Sequence, residues 1–163
     1  MPICLRSRLI GCAEQHELVK PEAEALPPFG LYRVTSAACE NPSQEPQGCE
    51  PIQYVEVTRS SVAHLARHPA VLIFWIAPDD ADSEYTYQTW PVYGRFVTGE
   101  TYLLHDEGAV RDWLIVRGGL IREYGFEAFE TDRRQKIRLK SRLSLQRIAR
   151  TPDIDSQLQI VPN

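Results

Sequence analysis

The sequence predicts a single α+β domain built on two small, mostly antiparallel sheets with a short helix after the second strand, and three stretches carry that expectation. Residues 54–57 alternate as a strand should, Thr58 or Ser60 can cap a short helix running to about Arg67, and residues 70–77 form an apolar run ended by Pro78. The helix has to stop at His68-Pro69, because a residue before proline is pushed out of the α region. Val71-Leu72-Ile73-Phe74-Trp75-Ile76 shows no polar alternation and belongs at a sheet centre with both faces covered. The core is expected around this unit.

The totals fit one domain. At 163 residues, 43% hydrophobic and 25% charged, the chain can bury a core that needs no staples, and it has no apolar run long enough to span a bilayer. A net charge of −4 argues against general nucleic-acid affinity. The charge is uneven, because Arg133, Arg134, Lys136, Arg138, Lys140, Arg142, Arg147 and Arg150 crowd the last part of the chain. All four cysteines lie in the first third without zinc-like spacing, so no metal is expected. Cys39 and Cys49 flank a turn-rich loop that a disulfide would close in an oxidising compartment; the alternative is two free thiols. Leu9-Ile10-Gly11-Cys12 has the form of a lipoprotein cleavage box, yet Arg6 and Arg8 occupy the place of its apolar segment, so the sequence as written reads as cytoplasmic, and as secreted only with a leader upstream.

In chain order, residues 1–28 read as an N-terminal arm and residues 29–163 as the globular domain. Residues 29–35 form the first strand, which puts Arg33 mid-strand, either in solvent or aimed into a cleft to hold a phosphate or carboxylate. Asp79, Asp80, Asp82 and Glu84 lack the glycine and distal glutamate of a calcium loop and read as a solvated turn. Tyr85, Tyr87, Trp90, Tyr93 and Phe96, broken by Pro91 and Gly94, fit one or two short strands whose aromatics pack in the core or line a cleft. The turn at Thr98-Gly99 delivers Glu100 to the start of an apolar strand, where a carboxylate is either paired and functional or on the rim in water. Residues 110–121 read as another buried strand ending at Gly118-Gly119. His64 and His68 read as surface residues, and His105 has no matching nucleophile for a triad. From Phe126 onward helix and strand patterns compete, and a final edge strand fits better.

Three pieces of this order resemble mono-ADP-ribosyltransferases of the cholera and pertussis toxin type. Leu31-Tyr32-Arg33 looks like that family's first-strand aromatic and arginine, and Tyr54-Val55-Glu56-Val57-Thr58 with Ala63-His64-Leu65 resembles its second strand and the helix behind it. The Glu100 turn, followed by a strand containing Trp113, resembles the catalytic turn. The resemblance implies NAD as substrate, for mono-ADP-ribosyl transfer or NAD glycohydrolysis by a toxin or effector. Glu100 would stabilise the oxocarbenium-like sugar, Arg33 would hold the dinucleotide, Thr58 or Ser60 would brace the glutamate, and Tyr93 or Phe96 would stack on nicotinamide. Thr98 stands where arginine-directed members carry a second acid, and Glu56 replaces the first serine of the second-strand motif. The alternative is a non-enzymatic protein-binding module of inhibitor, immunity or adaptor type, using the acidic loop at 79–84 or the basic tail at 133–150.

Overall fold

The computed structural model describes residues 26–40, 50–60, 68–92, 94–130 and 133–159. Among them are nine strands and one short helix: β1 (Gly30–Glu40), β2 (Ile52–Arg59), β3 (Ala70–Ile76), β4 (Thr86–Val92), β5 (Arg95–Phe96), β6 (Thr101–Glu107), β7 (Val110–Arg117), β8 (Leu120–Glu130), β9 (Arg133–Ile148) and α1 (Pro152–Gln157). All nine strands form one antiparallel sheet in the order β4-β3-β2-β1-β9-β8-β7-β6-β5, curled into a half-barrel. This corrects the expected α+β fold with two small sheets. The antiparallel pairing is as read, but the strands join a single sheet because β9 bonds to β1 on one side and to β8 on the other.

The order explains the curl. Every hydrogen-bonded pair except β1 with β9 is also a sequence-adjacent pair, so the chain runs as two meanders stitched along β1 and β9. The last residue of one edge strand, Val92, and the first of the other, Arg95, are three peptide steps apart. Three steps reach about 11 Å at most, so the connection draws the two sheet edges together at that end. We call it the closed end. It also holds Gly30, Arg59, Ala70, Arg117 and Ile148, while Ile76, Thr86 and Glu107 lie toward the opposite, open end.

Strand alternation divides the side chains between two faces. Tyr32, Val55, Val57, Leu72, Phe74 and Val92 meet Tyr102, Leu104, Leu114, Ile121, Tyr124, Leu143 and Leu145 across the concave face, giving one core shared by both meanders. The Phe74 and Tyr124 rings, from β3 and β8, stand 4.9 Å apart. On the convex face Leu31, Tyr54, Ile73 and Trp75 form a second cluster, closed by Leu158 with Ile154. Thr151 caps α1 by accepting from the Ile154 amide, and Pro152 starts the helix. Arg150 ties α1 to the sheet, bonding Glu56 of β2 and, at 2.7 Å, Asp155. β3 is therefore covered on both faces, as its composition requires, although it lies one strand in from an edge rather than at the sheet centre.

Several local expectations take a different form. Thr58 lies within β2 and caps no helix, and residues 61–67, with His64, lie outside the described residues. Gly118-Gly119, at φ +60° and +72°, forms the two-residue turn between β7 and β8, the primed geometry that tight hairpins need. Residues 126–148 contain the end of β8 and the whole of β9, which lies mid-sheet rather than at an edge. Of the basic residues there, Arg138, Lys140 and Arg142 share the outward face of β9, where Lys140 and Arg142 stand 3.9 Å from Glu127 and Glu123. From the arm, Pro27 is buried and Leu26 packs on the concave core. Among the described residues no helix is long and apolar enough to cross a membrane.

Candidate functional site

A cavity of about 210 Å³ opens on the concave face toward the open end, between the two meanders. β3 and β4 supply Phe74 and Trp90 from one side, β8 supplies Tyr124 and Phe126 from the other, and Ile52 and Leu139 complete the apolar wall. These positions follow from period two: Leu139, Ser141, Leu143 and Leu145 share one face of β9, the last two in the core and the first two in the cavity wall. The polar lining is Ser141, Gln88 and Glu50. Both Glu50 oxygens accept from the Gln88 amide, at 3.1 and 2.9 Å, which links the chain entering β2 to β4.

Behind Tyr124 lies a buried polar cluster. Asp112 of β7 is fully buried, in register with His105 of β6, and the Tyr124 hydroxyl points to it from β8. Among the described residues neither Asp112 oxygen has a hydrogen bond of good geometry, nor has His105 Nδ1. Burial raises the Asp112 carboxyl to about 6 against the opposing pull of His105 and Tyr124. Burial together with the neighbouring Asp112 carboxylate pushes the Tyr124 hydroxyl well above its ordinary value. Tyr124 thus joins the ligand-accessible wall to a carboxyl held in a dry interior.

Arg33 is exposed on the outer face of β1, opposite Tyr54 and Gln146. Glu100 precedes β6 at the closed end and is exposed; its carboxylate accepts from Arg117 Nε at 3.1 Å. β9, β8 and β7 separate the strands of Arg33 and Glu100 in the sheet order. Thr58 and Ser60 lie at the closed end of β2, and Tyr93 lies outside the described residues. Phe96 packs edge-on against Tyr102 at 4.9 Å. Cys39 is disulfide-bonded, but Cys49 lies outside the described residues. The acidic turn at 79–84 is exposed, with Asp80 accepting from the Asp82 amide and the Ser83 hydroxyl. Among the described residues no group of three or more His, Cys, Asp or Glu is placed to hold a metal ion.

Sequence reading missed the cavity and the buried acid. Trp90 belongs to a stretch read as core or cleft and lines the cavity, whereas Tyr85 and Tyr87 pack on the convex cluster. Asp112 had a readable signal: it shares the period-two face of Leu114 and Val116, which puts a carboxylate on the inward side of a buried strand. Compared with family models, curated proteins and solved structures, the chain matches none. Fold and site define its class as a curled antiparallel half-barrel with an aromatic cavity between its two meanders.

Proposed function

We propose that this chain is a binding protein whose concave cavity takes a compact ligand of one or two rings carrying an N–H donor. The observation behind this reading is the convergence of Phe74, Trp90, Tyr124 and Phe126 on one cavity whose polar groups are few. An apolar cavity of about 150 Å³ can hold benzene, so about 210 Å³ suits a fused bicycle rather than a drug-sized molecule. Aromatic walls favour an aromatic guest through offset and edge contacts. Glu50 sets the polarity: an incoming amine or ring N–H finds an acceptor in its carboxylate, whereas an anion is repelled.

Calorimetry with tryptamine, indole and indole-3-acetate tests this. Tryptamine is expected to bind most tightly and indole-3-acetate least. Leu139→Trp, which fills the cavity from β9, is expected to weaken tryptamine by about tenfold or more, or 1.4 kcal/mol, while the protein stays folded. Equal affinity for the three compounds would remove the role of Glu50, and unchanged binding by Leu139→Trp would remove the cavity as the site. The NAD-using reading of Glu100 and Arg33 is answered in the same preparation by nicotinamide release from NAD. The binding-protein reading expects background release from the native chain and from Glu100→Gln and Arg33→Lys alike.

A further inference from the structure

The closed end, away from the aromatic cavity, concentrates positive charge in a groove. A groove of about 850 Å³ wraps the start of β1 and the ends of β2 and β9, and its lining includes Arg59, Arg147, Arg150, Thr58 and a single acid, Glu56. That acid is already committed: Glu56 is bonded by Arg150, which also holds Asp155, and it lies 3.4 Å from the Trp75 indole nitrogen. Arg150 is therefore a tie between sheet and helix. Arg59 and Arg147 are different, since neither forms an ion pair with a carboxylate of the described residues.

Both guanidinium groups border the start of β1. Arg59 lies over the Phe29 ring, 5.3 Å from its centroid. Arg147 lies beside the next residue, Gly30, so closely that a Cβ there would sit 3.0 Å from Arg147 Nε and 3.4 Å from Nη2. Phe29 and Gly30 are consecutive, so cations from β2 and β9 flank the start of β1 and line the same groove. The Phe29 face holds one cation in place and the missing side chain of Gly30 makes room for the other. Arg122 of β8 adds a further positive field at Tyr32, the cross-strand partner of Arg147. Like charges lining one groove with no ion-paired carboxylate among the described residues favour a multivalent anion, which lowers the energy of the groove when bound.

We propose that this groove binds a diphosphate or a comparable phosphoryl group, gripped by the forks of Arg59 and Arg147. Guanidinium forks match phosphoryl oxygens two at a time, and two forks suit two phosphoryl groups better than one. The phosphoryl group can belong to a soluble diphosphate or to a lipid headgroup.

Two arms separate these sources: calorimetric titration with pyrophosphate, and flotation with phosphatidylglycerol vesicles in the presence and absence of pyrophosphate. Arg59→Gln and Arg147→Gln are each expected to weaken pyrophosphate by about 10–100-fold, the range for losing charged hydrogen bonds. Arg33→Gln, on the outer face of β1, should have no effect. Unliganded melting temperatures of both groove variants should equal or exceed that of the native chain, since repulsion is relieved. Pyrophosphate binding that is lost in both variants supports the proposal with a soluble source. Vesicle binding that pyrophosphate competes away and both variants lose supports it with a headgroup source. Equal binding by native and variant chains, or no binding in either arm, overturns it.

Discussion

Phe74→Ala is expected to lower stability by about 3–5 kcal/mol, the usual range for emptying a buried phenylalanine site. Phe74 belongs to the core that the two meanders share, resting on Tyr124 at 4.9 Å while lining the cavity. Its loss enlarges a space that already exists, so relaxation can recover little. For a domain of this length each kcal/mol moves the melting temperature by about 2–4 °C, so a fall of about 6–20 °C is expected. Calorimetric or urea unfolding measures it. A loss below about 1 kcal/mol, within the range of tolerated surface changes, would show that the meanders do not depend on this contact.

Asp112→Asn is expected to stabilise the protein at pH 7.5 and to flatten part of its pH dependence. The folded carboxyl is raised to about 6, above its unfolded value near 3.8. A group raised on folding contributes fully below its unfolded value and loses that contribution as pH rises through the folded one, so the decline runs from about pH 4 to pH 6. Some two units at 1.36 kcal/mol each make about 3 kcal/mol. That is an upper figure for the gain in the variant, whose amide carries no charge to desolvate and can still accept from Tyr124. His105 from β6 and Tyr124 from β8 are the groups that face the site, and both are present in each protein. The stability difference between native and Asp112→Asn, followed from pH 4 to pH 8, isolates the carboxyl from all other titrations. The difference should grow through the acid range and level off above about pH 7. A difference independent of pH would mean that Asp112 is ionised throughout.

Much of the fold was readable where a strand carries its own pattern. Residues 54–57, 70–76, 101–104 and 110–117 are strands as expected, because alternation or continuous apolarity is a local property. Sheet membership is not local. The stitch between β1 and β9 pairs Leu31 with Ile148, residues more than a hundred positions apart, and no pattern in either segment names its partner. β9 was ambiguous because Arg138, Lys140 and Arg142 alternate outward with Leu139 and Ser141 facing inward, and charges in such a run also suit helical i,i+4 pairing. The half-barrel follows from that single pairing: without it the two meanders are the two small sheets that the sequence favours. The candidate site depends on it as well, since Phe74 and Trp90 come from one meander and Tyr124 and Phe126 from the other.

The most direct test of the binding-protein reading is to locate a bound ligand by amide chemical-shift perturbation during titration with tryptamine. The shifts are expected to concentrate on Ile52, Phe74, Trp90, Tyr124, Phe126 and Leu139, to reach Asp112 through Tyr124, and to spare the closed end around Arg59 and Arg147. Perturbations scattered over the convex face or centred on the closed end, with the cavity residues unmoved, would contradict it.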